Sequence, residues 1–125
     1  RSKDNIPVII ECNPRFQGTL ECVEMSLGIN LVRKHIDASK GKLENSFPRG
    51  KKYVTKMIVF AKEKCLVGDI GAVQGVGDVS PEGAVLEQGD PICTIHRTGE
   101  TREGSLLNAK QSVSEIYDKV IVRRS

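Results

Sequence analysis

Between Glu11 and Thr19 the chain gathers residue types that handle metal ions and phosphate: Glu11-Cys12-Asn13-Pro14-Arg15-Phe16-Gln17-Gly18-Thr19. Glu11 and Asn13 offer a carboxylate and an amide oxygen two residues apart, a pair that suits a hard cation such as Mg²⁺. Arg15, two residues further on, carries a planar guanidinium that grips a phosphate or a carboxylate. The three can share a side if the backbone is extended, because side chains alternate faces along a strand. The apolar run Pro7-Val8-Ile9-Ile10 predicts such a strand leading into Glu11. Pro14 would stiffen its exit, Gly18 would turn the chain, and Thr19 would cap a helix. Metal ligands, an anion clamp and a helix start within nine residues point to phosphoryl-transfer chemistry.

The elements that must position these residues follow from spacing. Leu20, Val23 and Leu27 recur at helical intervals, with Gly28 as the stop. A second helix capped by Asn30 runs through Val32, His35 and Ile36 to Ala38, and Gly41 ends it. Residues 39–52 are polar and hold Gly41, Pro48 and Gly50, the composition of a linker or crossover. From Tyr53 to Ala61 β-branched residues predict a strand. Lys62-Glu63-Lys64 predicts a tight turn, with a return strand from Cys65. Residues 69–89 carry Gly71, Gly75, Gly77, Pro81 and Gly83 and predict short strands and turns. Pro91 to His96 predicts an edge strand beginning at its proline. Thr101 then caps a long helix whose apolar stripe is Leu106, Ala109, Val113, Ile116, Val120 and Ile121.

The bulk properties narrow the function classes. The chain has 125 residues, 38% hydrophobic and 28% charged, the balance of a globular fold. Five aromatics and no Trp leave the core to Val, Ile and Leu. The net charge is +3, and the basic pairs Arg33-Lys34, Lys51-Lys52 and Arg123-Arg124 are dispersed. No basic stripe interleaves with aromatics, so no nucleic-acid partner is expected. No apolar run reaches the length that spans a bilayer, so no membrane partner is expected either. The four cysteines, Cys12, Cys22, Cys65 and Cys93, lack zinc-site spacing and lie among apolar neighbours. They read as small buried thiols of a cytoplasmic protein. The chain opens on Arg1, and Arg1 to Asn5 reads as a turn that needs a strand before it. The expectation is therefore a C-terminal piece of a longer enzyme.

The Glu-x-Asn-Pro-Arg run, with Gly28-Ile29-Asn30-Leu31-Val32 after it, resembles the last metal-binding motif of ATP-grasp enzymes. These include carboxylate–amine ligases, biotin carboxylases and carbamoyl phosphate synthases. The resemblance covers residues 7 to about 41. It implies that Glu11 and Asn13 bind the Mg²⁺ (or Mn²⁺) ions bridging the ATP phosphates. It also implies that Arg15, as the catalytic residue, faces the γ-phosphate or an acyl phosphate. Residues 50–125 resemble the small β-rich domain that follows the ATP-grasp core in biotin carboxylase-like proteins. The carrying features are Val59-Phe60-Ala61, Asp78 to Gly83, Gly89 to Thr94 and Gly99 to Glu103. In the biotin-carboxylase branch Gln-Val-Glu-His follows the Asn-Pro-Arg. Phe16-Gln17-Gly18-Thr19 stands here instead, a departure that counts against the bicarbonate and biotin reaction.

Other signals have plainer readings. Gly75-Val76-Gly77 lacks the third glycine and the helix of a phosphate loop, so these are turn glycines. Lys56-Met57 is similar to a biotin-carrier motif, but Lys56 lies inside a strand run and Thr55 replaces the first Met. His35 and His96 have no Cys or Ser partner at a telling spacing and read as structural or surface residues. Glu21 and Glu24 could join the cation site, yet acids in a first helical turn need no function.

The expected fold class is α+β: residues 1–47 as the C-terminal part of an ATP-grasp core, a strand and two helices, and 48–125 as a small β-rich domain closed by a long helix. The expected activity of the full-length protein is that of an ATP- and Mg²⁺-dependent ligase, carbamoyl phosphate synthase-like or carboligase-like. It would activate a carboxylate or bicarbonate as an acyl phosphate for attack by an amine-type nucleophile. The rest of the nucleotide site would come from the ATP-grasp core upstream of residue 1, so residues 1–125 alone should not turn over ATP. The alternative is a non-catalytic β-rich module that docks on a partner subunit.

Overall fold

β-Branched residues form the longest strands. The computed structural model describes residues 6, 8–13, 15–43, 46 and 48–122. The opening turn expected at residues 1–5, the prolines Pro7 and Pro14, and the pair Arg123-Arg124 lie outside them. Two helices come first, α1 (Leu20–Leu27) and α2 (Leu31–Ser39). Then follow β1 (Tyr53–Phe60), β2 (Cys65–Leu66), β3 (Val76–Gly77), β4 (Val85–Leu86) and β5 (Pro91–Gly99). The helix α3 (Arg102–Lys119) and the short β6 (Ile121–Val122) complete an α+β fold.

The strands make two three-stranded sheets, ordered β1-β5-β3 and β4-β2-β6, and every described pairing is antiparallel. β1 pairs with β5 along its whole length, from Tyr53 opposite Gly99 to Phe60 opposite Pro91. Alternation sends Thr55, Met57 and Val59 toward α3, and Val54, Lys56 and Ile58 to the other face. On the first face Val59, Ile92 and Ile95 meet Ala109 and Ile116 of α3, with Val67 and Ile70 beside them. Polar ties set the helix on the sheet. Thr55 Oγ1 lies 2.8 Å from Ser105 Oγ, Asn108 donates to the Thr98 carbonyl at 2.9 Å, and Tyr117 donates to Phe60 O at 3.0 Å. On the other face α1 packs against the first half of β1.

Several expectations need correction. Residues 8–13 form no strand. A strand exists as one side of a ladder, and no described segment pairs with these residues. Ile9 and Ile10 stand 89% and 93% exposed. The chain after the Lys62–Lys64 turn does not run back along β1, because Cys65–Leu66 pairs with β4 and β6 in the second sheet. Pro91 does not start an edge strand: β5 is the centre of its sheet. The proline is tolerated because the register slips between Val59 and Phe60, where the ladder is already broken. The buried face of α3 is Ser105, Ala109, Ser112 and Ile116, one step round from the apolar stripe. Leu106 is partly exposed, at 40%, and Ile121 has left the helix for β6. Small polar residues can take that face because they are paired: Ser112 accepts from Arg97 and donates to Gln74 O. Of the four cysteines only Cys65 and Cys93 are buried; Cys22 is half-buried and Cys12 is exposed.

Candidate functional site

The ends of α1 and α2 decide where the motif sits. Gly28 adopts the left-handed conformation, φ 69°, that ends α1. Asn30 caps α2, accepting from Arg33 N at 2.7 Å. Glu24 Oε1 accepts from Leu31 N at 2.6 Å, fastening one helix to the next. The second helix thereby returns past the start of the first, and its His35 ring meets Phe16 edge-on, with centroids 5.9 Å apart at 71°. Thr19, expected to cap α1, makes no side-chain cap bond. The helix starts through its backbone, with Leu20 N on Gln17 O at 3.0 Å and Val23 N on Thr19 O at 3.1 Å.

Two of the three motif side chains are bonded to each other, and two share a cavity. Asn13 Nδ2 donates to Glu11 Oε1 at 3.0 Å. Arg15 N returns to Asn13 O at 2.8 Å, a tight turn rather than an extended strand. Arg15 Nη1 is 3.4 Å from Gln17 Oε1. Asn13 and Arg15 open on a cavity of about 600 Å³ together with Cys12, Phe16 and His35. Glu11 reaches it only through its bond to Asn13. Cys12 shares the cavity with Asn13, so the strict alternation expected of a strand does not hold here.

This donor set suits a hard cation in part. It offers one carboxylate and one amide oxygen, and Mg²⁺ commonly takes one or two protein oxygens and fills its sphere with phosphate and water. Among the described residues no group of three or more His, Cys, Asp or Glu side chains comes together. Glu21 and Glu24 do not join the motif. Glu24 serves Leu31 N, and Glu21 pairs with Lys56 at 3.7 Å.

His35 is the cavity residue that sequence reasoning passed over. It read as structural, because nothing local gave it a partner. The signal was the Asn30 cap, which sets the phase of α2 and puts Leu31, His35 and Ala38 on one face. That this face turns toward Phe16 follows from the return of the chain at Gly28. His96, the other histidine, is far from the motif in sequence and sits on β5 opposite Lys56. Its Nε2 is buried without a hydrogen-bond partner among the described residues. Burial first, and then the Lys56 amine, lower its pKa, against Glu21 and Asp78.

The chain is 38% identical over 117 residues to the uncharacterized protein MJ0776 of Methanocaldococcus jannaschii, an alignment that takes in 94% of the chain. It spans about 29% of the length of that relative. No family model matches the chain. No solved structure matches it.

Proposed function

We propose that this chain is the C-terminal, metal- and phosphate-facing part of an ATP-grasp ligase that activates a carboxylate as an acyl phosphate. The observation that carries the reading is the bond between Asn13 and Glu11 at 3.0 Å, with Asn13 and Arg15 on the wall of one cavity. Those are the three residues that the resemblance to the ATP-grasp motif assigns to metal and phosphate. The order of segments, motif first and β-rich part second, agrees with it.

In this reading Glu11 and Asn13 supply the protein oxygens for Mg²⁺, which when bound would draw off charge from the ATP phosphates. Turning the Asn13 amide over would bring its oxygen, in place of Nδ2, to the side of the Glu11 carboxylate. Arg15 would present two parallel N–H groups to the transferring phosphoryl group. The work is positioning and charge stabilisation, with no covalent step on a side chain. Phe16 and His35 would close the wall behind Arg15 and keep water from the transferring group. A carboxylate substrate with an amine-type nucleophile is favoured over bicarbonate and biotin, because Phe16-Gln17-Gly18-Thr19 follows the arginine.

The test is kinetic, on the full-length protein that carries this chain. Glu11→Ala and Asn13→Ala should each lower kcat by about 10²–10³-fold, the size of losing one preorganised charge-stabilising contact, with ATP binding changed far less. Glu11→Ala should be the worse, since it removes a formal charge. Arg15→Ala should lower kcat while leaving the Mg²⁺ dependence intact. Parental kcat and metal dependence in both ligand variants would remove the reading.

The second reading, a docking module without catalysis, is favoured by the exposed Ile58 and Phe60 on β1. It expects Glu11→Ala to be silent, and Ile58→Asp to release a partner.

A further inference from the structure

A lysine ties the β-rich part to the candidate site. Lys56 stands in the middle of β1, opposite His96 of β5, on the sheet face that α1 covers. Its side chain is only 22% exposed. The amine does not run out to water. It donates to the Gly18 carbonyl at 2.9 Å and lies 3.7 Å from the Glu21 carboxylate. A half-buried ammonium needs such partners, because removing it from water is costly unless charge and hydrogen bonds replace the solvent. The imidazole next to it, His96, is held toward its neutral form by burial and by Lys56 itself, so no second cation competes for those partners.

Gly18 is three residues beyond Arg15 and lies in the turn from Gln17 to Leu20 that opens α1. The link onward is short. Gln17 O accepts from Leu20 N at 3.0 Å to open α1, and Gln17 Oε1 faces the Arg15 guanidinium at 3.4 Å. Fixing the Gly18 carbonyl therefore fixes the Gly18–Thr19 peptide, which lies inside the Gln17–Leu20 turn that opens α1, and Gln17 orients Arg15. Ser26 Oγ on Lys52 O at 2.8 Å and Lys51 N on Ser26 O at 2.8 Å hold the far end of α1 to the approach of β1. Those bonds set where α1 lies. The lysine sets where its first turn begins.

We propose that Lys56 is a positioning residue for the phosphate-facing turn: its amine, clamped between Gly18 O and Glu21, sets the reach of Arg15 from the rigid sheet below. This rests on the reading of Arg15 given above. It extends that reading to a residue thirty-eight positions downstream of Gly18, in the β-rich part of the chain.

Two measurements on the full-length protein test it. The variants are Lys56→Met, which keeps the stem and removes the donor, and Lys56→Arg, which keeps a cationic donor. Amide hydrogen exchange over residues 16–24 should be at least about tenfold faster in Lys56→Met and near parental in Lys56→Arg. ATP turnover should follow: kcat lower by about ten- to hundredfold in Lys56→Met, with KM for ATP within about threefold, and recovery in Lys56→Arg. Glu21→Gln should shift both readouts the same way by less, and it stands in if Lys56→Met does not fold. Glu11→Ala is the control for the site itself. If Glu11→Ala abolishes turnover while Lys56→Met changes neither exchange nor kcat, the anchor is wrong and the site survives. If Glu11→Ala is silent, the site reading falls, and exchange alone decides on Lys56. Equal loss in Lys56→Met and Lys56→Arg would also overturn the proposal, since a donor would then not be what matters.

Discussion

His96 shows how one side chain can make stability depend on pH. Its Nε2 is buried without a partner among the described residues, and burial with the nearby Lys56 amine holds its pKa below the usual value of 6.5. The unfolded chain, free of both effects, takes up its proton at the ordinary value. As pH falls through about 6.5 toward the lower folded value, the unfolded state gains protons that the folded state refuses. Stability at this position is therefore full above the unfolded value and declines on acidification. The urea midpoint should drop between about pH 7.5 and about pH 5, and His96→Gln should lose less over the same interval. Parallel losses in parent and variant would show that other groups carry the effect. Nothing in the sequence announced this, since the burial of His96 comes from α1 lying over β5, a contact between distant segments.

At the scale of elements, what was legible was local. Gly28 and Asn30 end and start helices through bonds to residues three or four away, and Thr101 caps α3 by accepting from Gly104 N at 3.0 Å. Such signals read from a window of a few residues. The strand Tyr53–Phe60 was legible too, from its β-branched run. Which strand pairs with which was not, because pairing is decided by the whole packing. Cys65–Leu66 went to the second sheet, and Pro91 to the centre of the first. Val8–Ile10 has strand composition but no described ladder partner, so composition alone misled. In α3 the periodicity gave a helix, while its phase was off because Ser105 and Ser112 bury through hydrogen bonds that hydropathy does not register. Ile116, fully buried among strand and loop residues, belongs to either phase. Ile116→Ala should cost about 2–5 kcal/mol of unfolding free energy, the range for a large aliphatic side chain removed from a core. An unchanged denaturation midpoint would mean that α3 does not pack on the sheet as described.

For the whole molecule, the packed core and the candidate chemistry occupy different halves. The β-rich part with α3 holds the buried core, while the motif segment lies open, with Asn13, Arg15 and His35 on its cavity wall. The type and spacing of the motif residues are visible in the sequence, and so is the succession of helical and β-rich segments. The cavity could not, because it needs the return of α2 onto Phe16. The four thiols record this division in chemical terms. Cys93 has its pKa pushed up to about 11 by burial, and burial pushes Cys65 and Cys22 up as well, whereas Cys12 is exposed beside Asn13. Brief alkylation with iodoacetamide near neutral pH should therefore mark Cys12 first, with Cys65 and Cys93 reacting only on unfolding. Read by peptide mass spectrometry, the molecule carries its own footprinting tag at the mouth of the cavity. In the full-length protein, slower marking of Cys12 when ATP and Mg²⁺ are added would report occupancy of that cavity without any measurement of turnover, and an unchanged rate would place the nucleotide elsewhere.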